Sequence, residues 1–171
     1  MRTLTTLILI AFISITTVAQ TGVNKLFEKY ENDERFTKVN VNSRMFSLFT
    51  ELEPGDENEE EFLEAISKIE GLKVLSADSI DDAEKHFKDA VASLKGKGYE
   101  ELMSVKDADQ DVFFYIQESK GIINELLLVA GGGHEFNLVT LYGEIDLKKI
   151  SRISKSLNIK GLDKLKNLDG N

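Results

Sequence analysis

Four apolar runs in the second half of the chain, joined by short polar links, constrain the fold more than any other feature. The runs are Tyr99–Val105, Asp111–Gln117, Ile122–Ala130 and Glu135–Tyr142. Residues typical of turns fill the links 107–110, 118–121 and 131–134. Links this short join antiparallel neighbours, since a parallel pair needs a crossover of about a dozen residues or more. The pattern predicts an antiparallel four-strand meander.

The first half of the chain predicts helices interleaved with two short strands, at 36–41 and 72–75. Apolar residues at helical spacing indicate helices over 22–30, 45–52, 57–70 and 80–94, and Asn42 or Ser43 is expected to start the second. We expect Gly71 to end the third helix, and Ser79 with Asp82 to form a capping box for the fourth. Asp146 is expected to cap a last helix, with Leu147, Ile150, Ile153 and Leu157 on its inner face. The predicted fold class is α+β: the C-terminal meander and the two short strands, packed against several amphipathic helices.

In the inner strands of the meander, successive residues are apolar, so apolar side chains point to both faces of the sheet, as at Phe113 and Phe114 or Leu127 and Leu128. A strand that is apolar on both faces is usually covered on both faces. Either helices of this chain cover the second face, or a partner does. We favour the helices, because large exposed apolar patches are uncommon on monomers.

The first 19 residues have the pattern of a secretory signal peptide. Arg2 is followed by an apolar stretch from Leu4 to Ile15 that is too short to span a membrane comfortably. Thr17-Val18-Ala19 suits a signal peptidase, so we predict cleavage between Ala19 and Gln20. The mature protein, residues 20–171, is then expected to be soluble and either periplasmic or extracellular.

Composition narrows the remaining function classes. The chain has no cysteine, which excludes disulfides, thiolate metal sites, a thiol nucleophile and a lipoprotein anchor. Its net charge of −9 argues against binding to nucleic-acid backbones. Its mature length is that of a single ordinary domain, which we predict to end in a short basic helical tail.

One acidic spacing resembles a calcium loop. Asp107, Asp109 and Asp111 alternate, and Glu118 follows at the position of the final bidentate ligand. However, Val112 stands where such a loop needs glycine, and it opens an apolar run. The plainer interpretation is an acidic turn followed by a strand, with a weak surface calcium site as the alternative.

Other polar features have equally plain interpretations. Gly131-Gly132-Gly133-His134 joins two predicted strands, so a flexible hairpin loop is favoured over a phosphate or oxyanion loop. His86 is expected to be a partly exposed helix residue and His134 an accessible turn residue. Seven of the residues 51–61 are acidic, which is typical of a solvated loop before an acidic helix start. No catalytic residue, metal ligand set or cofactor site is predicted.

The segments Ile116–Leu126 and Val139–Leu147 resemble a family of exported bacterial domains of unknown function, number 4252. The similarity is most specific at Gly143-Glu144-Ile145-Asp146-Leu147. The resemblance implies export and an α+β domain, and it brings no known activity, cofactor or catalytic residue. Some members are encoded near extracytoplasmic sigma factors, which implies a link to envelope signalling.

Two hypotheses of function follow. The first is an exported, non-enzymatic binding module of the bacterial envelope, with another envelope protein or a second copy as partner and without nucleic acid or a stable membrane anchor. The second is a carboxylate-dependent hydrolase, assisted by calcium in one version. We favour the first, because a catalytic cluster should leave some trace in the sequence.

Overall fold

The computed structural model describes residues 22–150. The predicted signal peptide, its cleavage site at Ala19 and Gln20, and the chain after Ile150 lie outside the described residues. The elements are α1 (Gly22–Lys29), β1 (Thr37–Asn42), α2 (Ser43–Thr50), α3 (Glu57–Ile66), β2 (Ile69–Ala77), α4 (Ala83–Leu94), β3 (Tyr99–Lys106), β4 (Asp111–Ser119), β5 (Ile122–Gly132) and β6 (Glu135–Ile145). Residues 147–150 are helical as well. None of the helices within 22–150 is long and apolar enough to cross a membrane.

All six strands form one antiparallel sheet in the order β1-β2-β6-β5-β4-β3. The predicted α+β class and the meander of β3 to β6 are confirmed. The two N-terminal strands complete the sheet beside β6, because β2 pairs with β6 and β1 pairs with β2. Consequently β1 and β3 are the two edge strands.

The first face of the sheet carries the larger core, beneath α1 and α4. Its strands contribute residues such as Leu127 and Leu138, both 0% exposed. From the helices, Val23 and Leu26 of α1 and Phe87 of α4 join the same cluster. Burial of this kind stabilises a fold by roughly 1.5–3 kcal/mol per large apolar side chain.

The second face has its own core, which residues of α2, α3 and 147–150 cover. The helical contributors are Phe46, Phe62, Leu63, Ile66, Leu147 and Ile150. Helices of this chain therefore lie on both faces, as favoured above. Cover by residues 22–150 is less complete here, since Leu128 and Leu141 on this face are only half-buried.

The predicted boundary between the third helix and the second strand is wrong. The third helix ends at Ile66, not at Glu70, and Ile69 begins β2 because it pairs with Gly143 of β6. Gly71 is therefore a strand residue and not a helix cap, and the ring of Tyr142 occupies the space beside it. The expected four-residue strand is instead nine residues long. Pairing with β6 overrides the helical periodicity of the local sequence.

The fourth helix begins at Ala83, three residues later than predicted, and the capping box is absent. Asp82 is the N-cap but its side chain makes no capping hydrogen bond. Ser79 has a φ of 60°, and the next residue, Ile80, donates its N–H to the carbonyl of His134 at 3.0 Å. The segment before the helix is thus held by the β5–β6 turn.

Candidate functional site

Helix α2 exposes an apolar surface. Asn42 caps it by accepting the N–H of Met45 at 3.3 Å, as predicted for Asn42 or Ser43, and none of its residues is buried. Of the apolar residues at helical spacing, Phe46 packs on the second core. The others remain exposed: Met45 49%, Leu48 44%, Phe49 44% and Leu52 59%. Val39 of the preceding strand β1 is 43% exposed and faces the same side of the sheet. We call these five residues the apolar surface.

The neighbouring strand β1 is exposed along almost its full length. Only Val41 among its six residues is half-buried. Its register with β2 runs unbroken from Thr37↔Ser76 to Asn42↔Gly71. Within residues 22–150 no strand pairs with its outer edge. The apolar surface therefore borders an open edge of the sheet.

On the first face, a groove of about 450 Å³ lies between α1 and β1. It is lined by Asn24, Phe27, Glu28, Glu31, Lys38, Val39, Asn40 and Lys73. The Lys73 ammonium donates to Asn24 Oδ1 at 2.9 Å and lies 5.7 Å from the ring centre of Phe27 and 5.9 Å from that of Tyr142. Such placement stabilises a cation by attraction to the ring faces. The groove offers charges of both signs.

His86 is buried, so the expectation that it is partly exposed is wrong. The residue is 6% exposed, and its Nδ1 forms a 2.7 Å hydrogen bond with the Tyr30 hydroxyl. Nε2 lies 3.0 Å from Asp82 Oδ2, close enough for attraction but outside hydrogen-bond geometry. The rings of Phe36 and Phe136 complete the surroundings. The cluster is inaccessible to a substrate and joins α1 to α4.

Beside this cluster, Arg35 connects two carboxylates. It donates from Nη2 to Asp33 Oδ2 at 2.8 Å and from Nη1 to Asp82 Oδ1 at 3.0 Å. The side-chain hydrogen bonds from Arg35 to Asp33, together with one from the Arg35 backbone, lower the pKa of Asp33 to about 2. For Asp82, desolvation raises the pKa, but attraction to His86 and Arg35 outweighs it, and the net pKa is lowered. Both groups are held as carboxylates.

The structure places the calcium candidates in a turn and in the strand that follows. The Asp107 carboxylate accepts the backbone N–H groups of Asp109 at 3.0 Å and Gln110 at 2.8 Å. Asp111 begins β4, and Glu118 lies near the other end of that strand, roughly 23 Å away at ~3.3 Å per residue. Between residues 22 and 150 no three acidic or histidine side chains are grouped to hold a metal. A calcium site here stays a prediction, which titration of the protein with calcium would test.

The loop in the glycine-rich segment is shorter than predicted. Gly131 and Gly132 belong to β5, and only Gly133 and His134 form the turn. His134 is exposed there, 3.6 Å from Asp81, as expected of a turn residue. The hairpin interpretation is confirmed, while Gly131 has a packing role that the sequence did not indicate.

Glu125 is a buried acid that sequence reasoning missed. It is 6% exposed and its two oxygens accept hydrogen bonds from Thr140 Oγ1 at 2.7 Å and from the Tyr99 hydroxyl at 2.8 Å. Its position inside the apolar run Ile122–Ala130 was the available signal. With both oxygens engaged, it acts as a link between β3, β5 and β6.

These elements define a class: an α+β domain with one six-stranded antiparallel sheet and an apolar helix beside an open edge. Residues 30–153 match the model of a family described as domain of unknown function (DUF4252). This match covers more than half of the chain, and the chain belongs to that family. Searches of curated proteins and of solved structures found no match.

Proposed function

We propose that the protein is an exported, non-enzymatic interaction module of the bacterial cell envelope, and that it binds a protein partner through the apolar surface. The observation that supports this is helix α2, whose apolar residues other than Phe46 point away from both cores. Six large apolar side chains are exposed within residues 22–150, and five of them belong to one segment, residues 39–52, in β1, in α2 and just after α2.

Clustering distinguishes this surface from ordinary scattered exposure. Single exposed apolar residues are common and need no explanation, whereas a contiguous patch with a polar rim is typical of protein interfaces. Met45, Leu48 and Phe49 share one side of α2 by their spacing, and Leu52 follows just after the helix ends. Seven acidic residues follow directly in the sequence, between positions 51 and 61. Removing such side chains from water is the main favourable contribution to association.

Charged substitutions on this surface should abolish the interaction. We expect Leu48→Glu combined with Leu52→Glu to lose cross-linked partner in cells, because a carboxylate cannot be buried unpaired at an interface. The measurement is in-cell cross-linking of the full chain, followed by identification of the captured protein. Ile122→Glu is the matched control, since Ile122 is equally exposed at 44% but lies in the β4–β5 hairpin.

The control should capture as much partner as the unchanged protein does. A strictly monomeric protein with no cross-linked neighbour would contradict the proposal. Equal loss in the control would instead indicate a general effect of added charge. Export remains part of the proposal, supported by the signal-peptide pattern, and cell fractionation tests it. The hydrolase alternative stays a prediction, with no observation in the structure that favours it.

A further inference from the structure

We propose that the partner at this surface is a second copy of the chain, which pairs its own β1 with β1 in antiparallel orientation and joins two sheets into one. The inference rests on the proposed function and names its partner. Strand addition at an open sheet edge is a common mode of association, because main-chain hydrogen bonds are available there.

The two edges of the sheet differ in their protection against such pairing. In β3 the register shifts between Glu101 and Met103, and this bulge interrupts the regular edge. That strand also carries the charges of Glu100, Glu101 and Lys106. Bulges and charges are the usual means by which proteins prevent edge pairing. Strand β1 has no bulge, and Lys38 is its single charged residue.

Lys38 does not protect this edge in a single copy. Its ammonium donates to the backbone carbonyl of Asp33 at 2.7 Å, which draws the side chain toward the preceding loop. The remaining β1 residues are threonine, valine and asparagine, and none of them opposes pairing by charge.

A two-fold axis through β1 permits only registers in which opposed residues share a face of the sheet. With Val39 on the axis, Thr37 lies opposite Val41 and Lys38 opposite Asn40 of the second copy. With Asn40 on the axis, Val39 lies opposite Val41 and Lys38 opposite Asn42. Both registers bring valines together on the second face and keep the two lysines apart. The strand is therefore complementary to itself.

Charges around the groove favour the same arrangement. Lys38 and Asn40 face the first side of the sheet, where Glu28 of α1 and Glu31, just after this helix, line the groove together with Lys73. With Val39 on the axis, Lys38 of the second copy lies opposite Asn40 at this groove, and it reaches the two carboxylates by leaving the Asp33 carbonyl of its own copy. The two-fold axis repeats this pairing, so each copy supplies one lysine and two carboxylates.

The apolar surface lies on the opposite side of the same edge. Val39 pairs with Val74, Val74 with Val139, and Val139 with Leu128, which packs in the second core. Val39 therefore faces the second side of the sheet. Pairing at β1 thus places the two α2 helices on one face, on either side of the seam. Their exposed apolar side chains and Val39 then surround a common centre.

Single cysteines test the seam directly, because the natural chain has none. The Cα atom of a residue on the axis lies about 4.5–5.5 Å from the Cα atom of the same residue in the second copy, which is within disulfide range. We expect Val39→Cys or Asn40→Cys to form a disulfide dimer on mild oxidation of protein purified from cells expressing the full chain. Ser104→Cys on the other edge strand is the matched control. Sedimentation under reducing conditions measures the dimer of the unchanged protein.

Support requires a dimer of the unchanged protein and selective cross-linking at 39 or 40. Several outcomes overturn the inference: a monomer at all concentrations, a dimer that neither cysteine cross-links, or equal cross-linking at 104. Capture at 39 of a different protein, or of the chain's own terminal segment, overturns it too.

Charge reversal gives a second readout that a folding defect would not imitate. Lys38→Glu and Glu31→Lys should each weaken the dimer several-fold, and combining them should restore part of the loss. Weakening without restoration would contradict the predicted pairing of these charges. If the copies stay monomeric while the apolar surface still captures another envelope protein, the inference fails and the proposed function stands. If neither association is found, both fail.

Discussion

Gly131 is a glycine because Phe87 occupies the space that a side chain would need. An ideal Cβ at position 131 would lie 2.6 Å from Cβ and 3.1 Å from Cδ2 of Phe87. This close approach lets α4 pack directly on β5 in the larger core. Gly131, which the sequence predicts to lie in a flexible loop, is therefore a point of contact between helix α4 and the sheet.

Replacing Gly131 with alanine should destabilise the fold. We expect Gly131→Ala to lower the free energy of unfolding by about 1–3 kcal/mol, since the clash is with the Phe87 Cβ and only a shift of the α4 or β5 backbone relieves it. Urea unfolding measures the change. Gly55→Ala is the control, because the atom nearest its Cβ is the end of the flexible Glu59 side chain, and it should change stability by less than about 0.5 kcal/mol. Equal effects of the two substitutions would refute this packing argument.

Asp33 should stabilise the fold except in strong acid. Its pKa falls from 3.8 to about 2 in the folded protein because Arg35 hydrogen-bonds the carboxylate. A lowered pKa means that the contribution is complete above pH 3.8 and disappears as the pH falls through about 2. The difference in unfolding free energy between the natural protein and Asp33→Asn should shrink over that interval. A difference that is independent of pH would show that the carboxylate charge is irrelevant.

At the scale of elements, helix α1 is held to α4 by one buried polar contact within an apolar interface. The hydroxyl of Tyr30, just after α1, and Nδ1 of His86 in α4 are 2.7 Å apart. The exposed ion pair between Lys29 and Asp89 joins the same two elements at 3.2 Å. Exposed pairs contribute little, whereas a buried donor and acceptor depend on each other.

Removal of the Tyr30 hydroxyl tests this link. We expect Tyr30→Phe to lower the free energy of unfolding by about 1–3 kcal/mol, because Nδ1 of His86 is left buried without its partner. Equilibrium urea denaturation followed by circular dichroism provides the value. Lys88→Ala, which removes an exposed pair with Glu84, should change stability little. An unchanged Tyr30→Phe variant would mean that water or a rearranged His86 replaces the hydroxyl.

For the whole molecule, charge and apolar cover are both unevenly distributed. Residues 20–146 contain 13 basic and 28 acidic residues, whereas 147–171 contain 7 and 2. The basic segment begins beside the acidic helix α3, where Lys149 pairs with Glu64 at 2.5 Å. Opposite charges thus meet on the second face, the face whose core is less covered by residues 22–150. The apolar surface borders that same face.

Much of the fold was predictable from local pattern. The β3–β6 meander, helix α2 with its Asn42 cap, and the acidic turn at 107–110 all follow from periodicity and turn chemistry, which act over a few residues. The boundary at Ile69 and the start of α4 were not predictable. Pairing of Ile69 with Gly143, and of Ile80 with His134, depends on residues that are distant in the sequence.

By itself, the sequence determined the α+β class, the antiparallel meander and the absence of cysteine chemistry, because composition and short-range spacing suffice for these. Only the tertiary structure decided that β2 and β1 extend the meander into one sheet with an open edge at β1. It also decided which apolar residues stay exposed: Phe46 reaches the core and Leu48 does not, although both belong to the same apolar helix. Exposure depends on what packs against a residue, and no local pattern contains that information.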